Sequence, residues 1–291
     1  MLFDADFLTK LEYLAIVSRR VFRGQLLAQK RTKQLGGGIE FADHREYAAG
    51  DDFRYLDWNL YARHGELLLK RFQEEQDLNV YLLLDCSRSM QVGQPSKFDL
   101  ARQVTAALAY IALADLDRIS VLAFADGVAT DFPLTRGKAR ILGLLEFLES
   151  LTAEGQGTDL GQLVDAFIHR TNRRGLAIVV SDLFDPAGYR TALDQLRHNR
   201  FEPYVIQLYD REEANPTFLG DVELVDVETF EPRKLTVTEK HLRQYKQVFQ
   251  KFLTSIEEYC QGYGVPYTTT TTDVPFDELI LGMMRRAGAT G

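Results

Sequence analysis

Three oxygen-bearing side chains stand at alternate positions of one short stretch, Leu82-Leu83-Leu84-Asp85-Cys86-Ser87-Arg88-Ser89-Met90. Asp85, Ser87 and Ser89 fall at i, i+2 and i+4 in a turn, close enough to point at one centre. One carboxylate and two hydroxyls are hard donors, suited to Mg²⁺ or Mn²⁺ and not to zinc or copper. Two further segments offer oxygens. Thr158 lies in the glycine-flanked run Gly155-Gln156-Gly157-Thr158-Asp159-Leu160, at the start of a helical pattern with its hydroxyl free. Asp182 closes a second apolar run, Leu176-Ala177-Ile178-Val179-Val180-Ser181.

An apolar run that ends abruptly in an acid is how a buried parallel strand delivers a side chain to the carboxyl edge of a sheet, where open α/β folds keep their sites. The elements around it alternate accordingly. Strands are expected at 78–85, 118–125, 176–182 and 202–209, with a short edge strand at 127–133 after the Asp126-Gly127 turn. Helices are expected at 97–116, 137–151, 159–171 and 187–198. Right-handed crossovers would join these into one parallel sheet covered on both faces. Val222–Val227 and Lys234–Val237 read as a surface hairpin, inserted near 221–237. The stripe Leu242, Tyr245, Val248, Phe249, Phe252, Leu253, Ile256 and Tyr259 marks an amphipathic helix whose apolar face is core. A strand at 266–272 and a helix at 275–286 follow.

The order Asp-x-Ser-x-Ser, a later Thr and an Asp closing a later strand resembles the metal-ion-dependent adhesion site of von Willebrand factor A-type domains. The resemblance implies a von Willebrand factor A-like (Rossmann-like) α/β fold, a mostly parallel sheet with helices on both faces. It implies that Ser87, Ser89 and Thr158 bind the ion directly or through water, and Asp85 and Asp182 largely through water. One coordination position is then left for an acidic side chain of a partner. In the bland alternative Ser87 and Ser89 cap the next helix and the two acids are ordinary strand-end residues. Five positions filled in order favour the metal.

Ahead of this domain the chain divides into a segment 1–35 and a segment 36–77. Apolar residues recur helically from Phe7 to Leu27, and no acid occurs between Tyr13 and Ile39 while Arg19, Arg20, Arg23, Lys30, Arg31 and Lys33 are basic. This is an amphipathic, basic helical arm that could bind the body, an acidic partner or an anionic membrane surface; a plain solvated basic face is at least as good a reading. After Gly36-Gly37-Gly38 comes a run without helical or strand periodicity, yet rich in charge and aromatics, with the single Trp. It reads as ordered but irregular, held by Arg45 or Arg54 paired with Asp51, Asp52 or Asp57.

Arg45-Glu46-Tyr47, Gly50-Asp51-Asp52-x-Arg54-x-x-Asp57-Trp58, Ala62-Arg63 and Lys70-Arg71-Phe72 resemble the bacterial family called domain of unknown function 58, over roughly residues 36–290. That resemblance implies a partner of the MoxR-type AAA+ ATPase class and an adaptor or co-chaperone role. Many relatives carry membrane-spanning helices before this segment, and membrane attachment is not carried over to this chain.

A net charge of −8 argues against general nucleic-acid binding. No apolar run approaches membrane-spanning length, and the acidic Met1–Asp6 start is unlike a signal peptide, so the cytoplasm is the expected compartment. Two cysteines without ligand spacing suggest buried, reduced thiols. An enzyme of the haloacid dehalogenase type would also place Asp85 beside Mg²⁺, but it needs a second acid where this chain has Ser87. The expectation is therefore a non-enzymatic, Mg²⁺-dependent protein-binding module. Its rivals are a Mg²⁺-dependent phosphohydrolase and a scaffold that works through Arg45–Trp58 around a purely structural metal.

Overall fold

The computed structural model describes residues 2–22, 31–35, 40–75, 78–125, 128–155, 159–228 and 230–289. Helix α1 (Ala5–Phe22) is amphipathic as expected, and its stripe packs on the body: Phe7, Leu11 and Leu14, with Phe3 just ahead of the helix, are all buried in the main core. The Phe7 and Phe276 rings lie 4.7 Å apart, and Lys10 reaches Asp277 at 3.4 Å. Of the three possibilities for the helix, contact with the body is the one the structure displays. Arg23 and Lys30 of the basic run lie outside the described residues.

The stretch expected to be irregular, together with the end of the segment expected as a helical arm, is built on an antiparallel sheet. Strands β1 (Arg31–Leu35), β2 (Glu40–Glu46) and β3 (Leu68–Glu75) pair in the order β1-β3-β2. β2 escapes pattern recognition because its register slips between Phe41 and Asp43, and a bulge destroys the two-residue alternation. A 3₁₀ turn at Phe53–Tyr55 and helix α2 (Trp58–His64) fill the β2–β3 connection.

The remainder alternates as expected: β4 (Asn79–Asp85), α3 (Lys97–Ala114), β5 (Arg118–Ala125), β6 (Val128–Arg136), α4 (Ile141–Ser150), α5 (Leu160–Arg170), β7 (Leu176–Ser181), α6 (Tyr189–His198), β8 (Glu202–Tyr209), a short α7 (Arg211–Ala214), β9 (Gly220–Val225), β10 (Pro232–Val237), α8 (Glu239–Gly262), β11 (Tyr267–Thr271) and α9 (Phe276–Ala289). The central sheet has the order β11-β8-β7-β4-β5-β6. Every pair is parallel except β5 with β6, which run antiparallel. Only two residues separate those strands, too few for a crossover, so an antiparallel return is the one connection available. This is the mixed, mostly parallel α/β sheet of a von Willebrand factor A-like fold.

β4 sits inside the sheet and is apolar on both faces. Leu82 and Leu84 belong to the core cluster that includes α1, α3, α4 and α9, whereas Tyr81 and Leu83 belong to the one that includes α5, α6 and α8. Two covered faces explain why the run lacks alternation, and they fix Asp85 at the carboxyl end of a strand that has no freedom to shift. The hairpin β9–β10 forms its own two-stranded sheet, largely exposed. α8 departs from its all-core reading: Phe249, Ile256 and Tyr259 are buried, but Tyr245 and Val248 nearer its start are exposed. No helix of the described residues is long and apolar enough to cross a membrane.

Candidate metal centre

Asp85, Ser87, Ser89 and Asp182 come together at the carboxyl edge of β4 and β7, and all four are buried. Asp85 is held by both oxygens: Oδ1 accepts the Ser87 N–H at 2.9 Å and Oδ2 accepts the Ser181 hydroxyl at 2.6 Å. The Ser87 and Ser89 hydroxyl oxygens lie 2.9 Å apart. Neither hydroxyl caps α3, because that role belongs to Ser96, whose oxygen accepts the Asp99 N–H. Ser87 precedes a 3₁₀ turn, Arg88–Gln91, without a side-chain bond to it. The capping alternative therefore fails, and two buried hydroxyls are left facing one another.

Asp182 follows β7, and the next residue, Leu183, has a positive φ of 61°. A buried leucine in the left-handed region is strained unless its surroundings hold it there. Here the Leu183 N–H donates to the Ser181 hydroxyl at 2.8 Å and the Phe184 N–H donates to Asp182 Oδ1 at 3.0 Å. The tight turn sets the direction of the Asp182 carboxylate.

Thr158 lies outside the described residues, between two segments whose placement is known. Gly155 forms a parallel bridge with Ser87, and the Arg88 N–H donates to the Gly155 carbonyl at 3.2 Å. A Cβ on Gly155 would come within 2.1 Å of Ala125 Cβ, so glycine alone lets this chain pass the end of β5. On the other side Asp159 caps α5 by accepting the Gln162 N–H, and the Leu160 N–H donates to Asp185.

Sequence reasoning missed four contributors. Lys97, the first residue of α3, is wholly buried, with its ammonium 2.8 Å from Asp182 Oδ2 and 2.6 Å from Glu213 Oε1. Its one visible signal is a cation at a helix start, where the macrodipole disfavours it. Desolvation works to lower its pKa, yet Asp182 and Glu213 outweigh that and hold it above the ordinary value. Glu213 also accepts the Asp210 N–H through its other oxygen. Ser181 anchors Asp85, as above. Glu228, from the β9–β10 tip, accepts the Ser89 N–H at 2.9 Å; nothing local could announce a contact 139 residues away.

The charges do not balance. Asp182 and Glu213 share the single Lys97 ammonium, and the buried Asp85 carboxyl lies close enough to Asp182 to feel its charge. Burial, and then the charge of Asp182, push the Asp85 carboxyl up to about 7. Two converging hydroxyls beside acids that outnumber the one ammonium fit a hard divalent cation, and Asp85, Ser87, Ser89 and Asp182 are the residues that would hold it. Among the described residues no three His, Cys, Asp or Glu side chains are grouped so as to hold a metal ion.

The second candidate group stays apart. Arg45 pairs with Asp51 at 2.7 Å and Arg54 with Asp52 at 2.6 Å, as expected. Asp57 takes no arginine: it meets His44 at 3.1 Å and Lys70 at 3.5 Å and caps α2 through the Asn59 and Leu60 N–H groups. Trp58 is exposed, edge-on to Tyr61. Among the described residues, the side-chain bonds, ion pairs and ring contacts of these six remain within residues 44–70.

Comparison with known proteins places the chain. It is 25% identical over 242 residues to the uncharacterized protein Rv1480 of Mycobacterium tuberculosis, covering 82% of this chain and 76% of that one. It is 26% identical over 115 residues to the uncharacterized protein MAV169 of Mycobacterium avium, covering 40% of this chain and 68% of that protein. Among solved structures, the conserved hypothetical protein BatB from Bacteroides thetaiotaomicron aligns with a TM-score of 0.45 at 17% identity, over 74% of this chain and 100% of that one. The manganese-loaded TRAP protein of Plasmodium vivax aligns with a TM-score of 0.34 at 19% identity, over 45% of this chain and 57% of that one. The site's chemistry rests on this chain's own geometry. The family profile described as protein of unknown function DUF58 matches residues 43–252, and the chain belongs to that family.

Proposed function

We propose that the protein is a metal-dependent protein-binding module, in which Asp85, Ser87, Ser89 and Asp182, with Thr158, hold Mg²⁺ or Mn²⁺. The carrying observation is the pair of buried serine hydroxyls 2.9 Å apart beside acids whose charge Lys97 only partly offsets. A divalent cation there would offer a coordination position to a carboxylate oxygen of a partner, a directional and metal-dependent contact. The chain's own residues do the positioning. Ser181 and the Ser87 N–H fix Asp85, the Leu183 turn fixes Asp182, and Lys97 relieves the repulsion among the acids. A binding role suits Asp85 better than attack on phosphorus, since both its oxygens are engaged and the residue is fully buried. On the family resemblance, the partner we assign is a MoxR-type AAA+ ATPase, met in the cytoplasm.

Calorimetric titration with Mg²⁺ and Mn²⁺, repeated on Asp85→Ala, tests the reading. Binding by the wild type and none by the variant is expected. A metal-dependent pull-down of a MoxR-type ATPase, lost in chelator, tests the partner; equal capture with and without metal would sink it.

A further inference from the structure

The tip of the β9–β10 hairpin reaches the loop that carries Ser87 and Ser89. Glu228 Oε1 accepts the Ser89 N–H at 2.9 Å, while the Arg88 guanidinium donates to the Glu228 carbonyl at 3.3 Å and stacks on the Phe230 ring at 4.6 Å. Asp226 sets the tip, its Oδ1 accepting the Glu228 N–H at 2.9 Å. The other carboxylate oxygen, Glu228 Oε2, is buried without a hydrogen-bond partner. A buried carboxylate oxygen lacking any donor is unfavourable, and a cation is one group that can serve it.

We propose that Glu228 is a ligand of the metal centre in cis. Its Oε2 takes the coordination position that a partner's carboxylate would otherwise use, and the hairpin is a latch that a partner must displace. This rests on the metal-centre reading above. The hairpin is suited to opening. Two strands apart from the main sheet are marginally stable by themselves. Behind it lies a groove of about 950 Å³ bordered by Phe218, Leu224, Leu235, Leu242 and Tyr245 in place of a packed core. A tethered carboxylate competes at high effective concentration, so it excludes weak acidic ligands and yields to one that adds contacts of its own.

The experiment is a Mn²⁺ titration of the full chain followed by electron paramagnetic resonance and water-proton relaxation, on the wild type, Glu228→Gln, Glu228→Ala and Asp85→Ala. Glu228→Gln keeps an acceptor for the Ser89 N–H, so its effect reports the lost charge and not a lost hairpin contact. Both Glu228 variants are expected to bind Mn²⁺ about tenfold more weakly, with one more water on the ion. Mn²⁺ should slow hydrogen exchange in residues 220–237 of the wild type and leave it unchanged in Glu228→Ala. Equal affinity and equal hydration in the wild type and both Glu228 variants, with binding lost in Asp85→Ala, would overturn the latch and leave the metal centre standing. Absence of Mn²⁺ binding by the wild type overturns both.

Discussion

A lysine at the first position of a helix works against the macrodipole, and Lys97 stands there because two carboxylates surround it. Removing it would leave the buried Asp182 and the half-buried Glu213 uncompensated. Lys97→Met is therefore expected to lower stability by about 3–5 kcal/mol, read as an earlier midpoint in urea denaturation. An unchanged midpoint would mean that the acids are neutral or otherwise served. The residues of the candidate centre, Asp85, Ser87, Ser89 and Asp182, could be picked out of the sequence because their logic is local: alternate positions in one turn, and acids at strand ends. Lys97 and Glu213, 116 residues apart, meet only through the sheet's topology. The two thiols follow the same local logic. Burial raises Cys86 to about 12 and Cys260 to about 11, so iodoacetamide near pH 8 is expected to modify neither in the native chain and both in urea. Labelling of the folded protein would contradict their burial.

Elements carry the site into register. The loop from Gly155 passes so close to Ala125 that Gly155→Ala must displace either β5 or the loop. A loss of about 1–3 kcal/mol is expected from the overpacking. Because the displaced loop leads to Thr158, Mn²⁺ affinity should fall with it; full affinity in this variant would show that the loop plays no part in the site. In the antiparallel unit, β2 was hidden by its bulge and by a charged sequence, whereas the Arg45–Asp51 and Arg54–Asp52 pairs were readable because each spans a few residues. Asp57 is the tie between β2, β3 and α2. Hydrogen bonding from His44, with further help from the α2 N–H groups and Lys70, holds its carboxyl below the ordinary range against a smaller opposing effect of desolvation. A depressed carboxylate pKa means that the stabilisation is present above the unfolded value and is lost as pH falls through the folded one. Hydrogen-exchange protection across residues 40–75 should therefore weaken below about pH 4 in the wild type, and at neutral pH in Asp57→Ala. Protection unchanged by either would remove Asp57 from that role.

At the scale of the molecule, strand patterns and handed crossovers led to a parallel sheet covered on both faces, though not to the order of its strands. The exception was β6, whose direction was decided by a two-residue connection and not by its own residues. The sequence could not say what α1 covers, because an apolar stripe reports that a face is buried and never against what. The structure lays it against α3 and α9: Leu11 and Leu14 are fully buried, and Phe7 meets Phe276 of α9. A helix sealed in this way belongs to the cooperative unit that also fixes α3, and with it Lys97. Leu11→Ala should then cost about 2–5 kcal/mol in the global unfolding transition. Phe7→Ala and Phe276→Ala should be non-additive, with a coupling of about 0.5–1.5 kcal/mol in a double-mutant cycle. An arm that merely rests on the body would behave otherwise. Leu11→Ala would leave the midpoint unmoved, the two phenylalanines would act independently, and hydrogen exchange in residues 5–22 would be fast while the sheet stayed protected.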